Sequence, residues 1–190
     1  MIIPFASGKV RLTSPYGMRT LNGIPGKHNG YDLVGVDSKE VTAVEGGTVI
    51  YSRIIADKNN RTWEWGNYVC VQTVKGQYHY YCHLDSRAVY AGQRIKPGDR
   101  IGIMGNTGYS FGEHLHFEAR KADGRTPINP QEVLGIPNKA GVYEIDELDA
   151  AIDILVNHGV INTPAYWRKN ANKLKYLPEL IKQMAEVLQK

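Results

Sequence analysis

Between Val10 and about Glu118 the chain sustains no long regular run: short apolar or alternating segments are cut repeatedly by Gly, Asn and Pro. Segments of about four to eight residues closed by turn residues build strands, whereas a helix needs ten or so uninterrupted residues at helical period. Residues 41–44 and 47–51 read as strands about a turn at Gly46 and Gly47, and residues 68–74 and 77–82 as a hairpin about Lys75 and Gly76. Residues 94–99 form a turn before a Gly-spaced strand at 100–105, and residues 114–118 alternate with period two. The predicted fold is mainly β, an antiparallel two-sheet sandwich over residues 1–136. A content of 20 Gly and 12 Tyr against 3 Phe agrees with β structure and a polar, aromatic surface groove.

Residues 137–142 read as a linker, and beyond them the period turns helical. Ile145, Leu148, Ile152, Leu155 and Val156 recur at three and four, and Gly159 stops that helix. Thr163 and Pro164 open a second helix bearing Trp167, Ala171 and Leu174. Pro178 opens a third, bearing Ile181, Met184 and Leu188. Residues 143–190 are therefore expected to be a small three-helix segment with a marginal core of its own, suited to docking or self-association.

Net charge is +4, and the excess lies in residues 1–140, with 17 Lys and Arg against 12 Asp and Glu. That favours an anionic partner, such as an acidic wall polymer, yet no Arg/Lys cluster reaches the density expected of a nucleic-acid binder. No apolar run approaches the roughly 18 residues of a membrane span, so no membrane partner is expected. The first residues, Met1 to Ala6, carry no basic start, which predicts synthesis without secretory targeting. Two cysteines, Cys70 and Cys82, fit neither a disulfide framework nor a zinc finger. A two-residue loop at Lys75 and Gly76 would set Cys70 opposite Tyr81 and leave the thiols on opposite faces.

The chemistry-bearing residues are mostly histidines. His28 and Asp32 are four apart around Asn29 and Gly30, and His114 and His116 are two apart on one face of a strand. A catalytic zinc takes three protein ligands and keeps one position open. His28, Asp32 and one of the two strand histidines can supply the three, and the other then stands beside the metal to handle protons. Spacing leaves open which of His114 and His116 is the ligand.

Residues 105–118, with Gly105, Gly108, Gly112, His114, His116 and Glu118 in place, closely resemble the C-terminal signature of lysostaphin-type zinc endopeptidases, which cleave bacterial peptidoglycan peptides. Ser14, Gly17 and Arg19 resemble the family's opening strand. His28, Gly30 and Asp32 resemble its first metal motif, His83 and Leu84 its mid-chain motif, and Ile95, Pro97 and Gly98 its following turn. The resemblance covers about residues 10–130. It implies that His28, Asp32 and His116 bind one Zn2+, that His83 and His114 are the non-ligand catalytic histidines, and that the partner is cell-wall peptidoglycan. Glu113 stands where a small residue would be expected.

Glu118 has the strand parity to lie near the site, as a structural carboxylate or an outer one orienting a ligand. Tyr109, Trp63 and Trp65 are candidates for a substrate groove, while His79 reads as a solvated or hydrogen-bonded strand residue, with lining of the groove as the alternative, and His158 as a helix-end cation. The tail resembles short C-terminal segments of phage and Gram-positive wall proteins. Together these features suggest a phage lytic enzyme, made in the host cytoplasm and released at lysis or carried in a phage tail. One rival is a catalytically silent wall-binding or regulatory relative of the same fold. Another is a lipoyl-type carrier with its turn at Asp57 and Lys58, which would not need the histidine set.

Overall fold

The period-two stretches become strands in the computed structural model, which describes residues 2–6, 8–21, 23–144, 147–173 and 177–188. In chain order they are β1 Lys9–Ser14, β2 Gly17–Leu21, β3 Ile24–His28, β4 Tyr31–Gly35, β5 Glu40–Thr42, β6 Gly47–Arg53 and β7 Asn67–Thr73. There follow β8 Tyr78–Arg87, β9 Arg94–Ile95, β10 Arg100–Met104, β11 Leu115–Arg120, β12 Pro127–Ile128 and β13 Gly141–Glu144. A short helix, α1 Pro130–Leu134, is capped by the Asn129 side chain. Eleven strands join in one network, ordered β13-β1-β4-β11-β8-β7-β6-β9, with β10 and β12 branching from β8 and β11 and β5 pairing with β10. β2 and β3 form a separate ribbon. The two separate sheets of a sandwich are thus replaced by a continuous one, because the ten-residue β8 pairs with β11 and β7 in its first part and with β10 in its last.

Parity along the central strands divides core from site. Leu115, Phe117 and Ala119 of β11 are buried with Tyr31 and Leu33 of β4, Tyr81 of β8 and Val69 and Val71 of β7. Removing each large side chain from water stabilises the fold by roughly 1.5–3 kcal/mol. The alternate residues His116 and Glu118, with Asp32 on β4 and Tyr80 and Cys82 on β8, therefore share the opposite face. Ile55, Tyr68, Cys70, Tyr80 and Cys82 make a second buried cluster, with Trp63 and Trp65 packed against it.

The thiols are consequently on the same face, contrary to the parity argument above. The Thr73 N–H donates to the Gln77 carbonyl at 2.8 Å and the Gly76 N–H to that of Thr73 at 2.9 Å, so the hairpin loop has three residues, 74–76. Gly76 takes the left-handed conformation that closes it, at φ 81°. This extra residue sets Cys70 opposite Tyr80 instead of Tyr81. Both cysteines remain free and buried. Burial pushes the Cys70 thiol up to about 12, which leaves it inert.

A bulge lies further along the same pair. Val69 faces Tyr81 but Asn67 faces Leu84, so β8 carries one residue more than β7 across Cys82 and His83. His83 absorbs it at φ 63°, and among the described residues it alone besides glycines has positive φ.

His79 is fully buried against Phe117, with its Nε2 3.3 Å from Gln77 Oε1 and no partner for Nδ1. Burial, aided by the charge of Lys75, lowers its pKa to about 4. The unfolded chain then binds the proton more readily, so the stability His79 contributes is complete above about pH 6.5 and lost as pH falls towards 4. The loss across that window is on the order of 3 kcal/mol. A His79→Leu variant is expected to melt near the parent temperature at about pH 8 and several degrees above it at about pH 5. Parallel melting curves for the two proteins across that range would refute the assignment.

Residues 137–142 differ from the expected linker. Asn138 accepts the Tyr16 N–H through Oδ1 at 2.9 Å and donates through Nδ2 to the Tyr16 carbonyl at 3.1 Å, and residues 141–144 are the edge strand β13. The β unit therefore runs to Tyr143, and Glu144–Lys190 forms a second compact unit.

That unit contains α2 Glu147–Asn157, α3 Pro164–Asn170 and α4 Leu177–Leu188. Gly159 ends α2 at φ 71°, and the Val160 N–H reaches back to the Leu155 carbonyl at 2.8 Å. Leu148, Ala151, Ile152, Leu155, Ala171, Ile181 and Ala185 form its core. Met184 and Leu188, assigned by period to the buried face, are exposed, because the four-residue step from Ile181 to Ala185 takes the seam instead. Ile145 and Leu174 lie outside the described residues. No helix among the described residues is long and apolar enough to cross a membrane.

Candidate metal centre and active site

β4 and β11 pair so that Asp32 stands directly opposite His116, while β3 ends at His28 and the chain returns through Asn29 and Gly30 into β4. A Cβ on Gly30 would come within 2.4 Å of the Phe117 carbonyl and 2.8 Å of the His116 ring. Only glycine lets this turn lie against β11. His28 Nε2, Asp32 Oδ1 and His116 Nδ1 converge, with separations of 3.1 Å between the two nitrogens, 3.1 Å from His28 to Asp32 and 3.0 Å from His116 to Asp32. Ligands held about 2.1 Å from a tetrahedral zinc stand roughly 3.4 Å apart. The triangle is thus close to the required size, and two imidazoles with one carboxylate are a donor set suited to zinc.

His114 and His83 flank the triangle, their rings 4.7 Å apart, with His83 5.9 Å from His116. His114 Nε2 is 3.5 Å from Asp32 Oδ1. Backbone acceptors turn three of the four rings. The Nδ1–H of His28 fits donation to the Pro15 carbonyl at 2.8 Å, that of His83 to Thr107 at 2.8 Å and that of His114 to Gly112 at 2.7 Å. Each bond fixes a tautomer and leaves Nε2 as the lone-pair nitrogen.

Thr107 also donates its hydroxyl to the Leu84 carbonyl and accepts the Asn67 N–H, both at 2.9 Å, which ties the signature loop to the bulged part of β8. Gly66 and Gly108, both at positive φ, permit the close crossing of two loops there, since a Cβ on Gly108 would lie 2.4 Å from the Gly66 nitrogen. Glu113 pairs with Lys39 at 2.8 Å.

The field is strongly polarised. Burial opposes ionisation of Asp32, but hydrogen bonds with His116 and His28 hold its carboxyl well below the usual range. Burial likewise opposes charge on His116, yet Asp32 and Glu118 raise it to about 9, so the pocket attracts positive charge. Burial lowers His83 to about 3, helped by His116 and His114, and keeps it neutral at physiological pH.

Sequence reasoning did not find Arg19, whose Nη1 donates to Asp32 Oδ2 and to Ser14 Oγ, each at 2.7 Å. It leaves Oδ1 to face the histidines. The residue belongs to the segment that carries the family resemblance, but nothing in its spacing points to Asp32. Among the groove candidates, Trp63 and Tyr109 face one another at 6.4 Å, and Tyr109 is half-exposed and stacks edge-on with Phe111 at 5.0 Å. Trp65 is directed elsewhere, packing on Tyr68 at 5.2 Å and Tyr80 at 5.0 Å.

A family model described as peptidase family M23 matches residues 26–130, which include every histidine and carboxylate of this centre. The chain belongs to peptidase family M23. It is 34% identical over 113 residues to the peptidoglycan DD-endopeptidase ShyA of Vibrio cholerae, a match covering 58% of this chain and 25% of that protein. The chain thus spans about a quarter of the length of the curated relatives it matches.

Among solved structures, a zinc-containing peptidase from Vibrio cholerae is similar at 29% identity and a TM-score of 0.55, over 66% of this M23 chain and 37% of that one. The catalytic domain of EnpA, a prophage-encoded M23 protein of Enterococcus faecalis, is similar at 28% identity and a TM-score of 0.54, over 67% of this chain and 92% of that one.

Proposed function

We propose that this M23 protein is a zinc-dependent endopeptidase that hydrolyses peptide cross-links of bacterial peptidoglycan, and that it serves as a phage lytic enzyme. The observation carrying the reading is the triangle of His28, Asp32 and His116, flanked by His83 and His114 as two further histidines that do not complete it. A zinc ion held by the three supplies a Lewis acid and makes water acidic near neutral pH.

The chain's own groups do the rest. His114, with Nε2 at the centre, accepts the proton of the attacking water and passes it to the leaving amine. His83, kept neutral by burial and with Nε2 bare, sits against His114 and shares the proton as a second acceptor. Arg19 and the backbone carbonyls of Pro15, Thr107 and Gly112 orient these groups. Trp63, Tyr109 and Phe111 offer one aromatic wall for an extended peptide.

The name of ShyA and the basic charge of the β unit support a peptidoglycan substrate, and the prophage origin of EnpA supports the phage role. All five residues that a silent relative could lose are present, which weighs against that reading. Incubating purified cell walls with the zinc-loaded protein should release newly cleaved cross-link peptides, identified by mass spectrometry. A chelator should stop the release and added zinc restore it. Walls that stay intact under all conditions would overturn the assignment.

The helical unit contains no candidate ligand and has its own small core. In this proposal it targets the wall or self-associates. Deleting residues 145–190 is expected to keep cleavage of a soluble cross-linked peptide within about twofold and to lower lysis of whole cells by about tenfold or more, since tethering raises effective concentration without new catalytic contacts. Equal loss on both substrates would make the helices part of the catalytic fold.

A further inference from the structure

The face of β11 that carries His116 continues with Glu118 and Arg120, because each is two residues from the last. Glu118 is 2% exposed. It divides its two oxygens: Oε1 receives the Arg120 Nε–H at 2.7 Å, and Oε2 lies 3.6 Å from His116 Nε2. Arg120 is held more firmly than charge neutralisation requires. Its guanidinium lies 4.8 Å from the centroid of the Tyr80 ring and 5.1 Å from that of Trp65, and Nη1 donates to the Gly124 carbonyl at 3.2 Å. A guanidinium over two aromatic faces, bonded to a carboxylate through Nε and to a carbonyl through Nη1, has little freedom left.

We propose that Glu118 and Arg120 are a positioning pair for His116, and that Trp65 and Tyr80 are the slot that keeps Arg120 in register. The pair gives the His116 ring a negative neighbour on its Nε2 side, opposite the Nδ1 that faces His28 and Asp32, and so fixes the ring's orientation towards them. The other three histidines of the centre have a backbone carbonyl for this task; His116 has a side chain that must itself be held. This assigns Trp65, by its contacts, to the support of a ligand instead of the substrate groove. The inference rests on the reading of His28, Asp32 and His116 as a zinc site. An outer partner of a metal-binding histidine typically changes metal affinity by about 10–100-fold.

Zinc affinity, measured by competition with a chromophoric chelator, tests the pair, with thermal melting of the zinc-free proteins run alongside. The variants are Glu118→Gln, which keeps shape and removes charge, and Glu118→Leu/Arg120→Met, which removes both charges together and leaves no buried ion unpaired. Each is expected to bind zinc about 10–100-fold more weakly than the parent while its zinc-free form melts within a few degrees of the parent's. Affinities within about twofold of the parent in both variants would overturn the proposal. So would unfolding of both zinc-free variants, since the pair would then serve the core and not the ligand. A parent protein that binds no zinc would instead overturn the metal-site reading itself.

Discussion

Alanine at His28, Asp32 or His116 is expected to yield protein that purifies without zinc and cleaves cross-linked peptides at background, a loss of at least about a thousandfold. Each residue contributes one of three converging atoms, and two remaining donors make too few bonds for a stable catalytic ion. The Asp32 variant should suffer most in stability, because the Arg19 guanidinium loses its 2.7 Å carboxylate partner. Metal content by elemental analysis and peptide cleavage, measured on the same preparation, separate ligand loss from unfolding. Full zinc occupancy in His116→Ala would remove it from the ligand set.

His83→Ala and His114→Ala are expected to behave differently, retaining about one zinc per chain while turnover falls by about 10²–10³ each. Both rings lie beside the triangle without joining it, and both are turned by backbone acceptors outside it. The loss should fall on kcat with KM little changed, since neither ring is needed to hold substrate in the ground state. The double variant should lose less than the product of the two single effects, because one proton path passes through both rings. Zinc lost from His114→Ala and kept in His116→Ala would show that the two strand positions exchange roles.

Much of this centre was readable in the chain because strands make parity a strong constraint. Even spacing put His114 and His116 on one face and predicted that Glu118 would follow them, and the pairing of β4 with β11 brings Asp32 to the same place. What parity could not supply was any count of loop residues. One extra residue in the turn at 74–76 moved Cys70 from one face to the other relative to β8. Arg19 was hidden for another reason: it meets Asp32 from a separate ribbon, and contact between two elements leaves no mark on the spacing within either. His79 shows the reverse case, a polar residue on a Tyr-rich strand that the sheet nevertheless buries completely. The helical unit was legible as helices, but its core follows Ala185 where larger residues stood nearby, a choice made by packing volume and not by period.

The bulge on β8 places His83 in a backbone conformation that any residue but glycine adopts at a cost of roughly 1–2 kcal/mol. A sequence chosen for thermal endurance alone would carry glycine at that position. Under the proposed role of His83, the fold tolerates a local deficit there for the sake of reactivity, and this position is one where hardening the protein and preserving its turnover pull in opposite directions. Engineering for endurance would therefore do better to begin at His79, whose burden is borne by the far side of the sheet and contributes nothing to the chemistry.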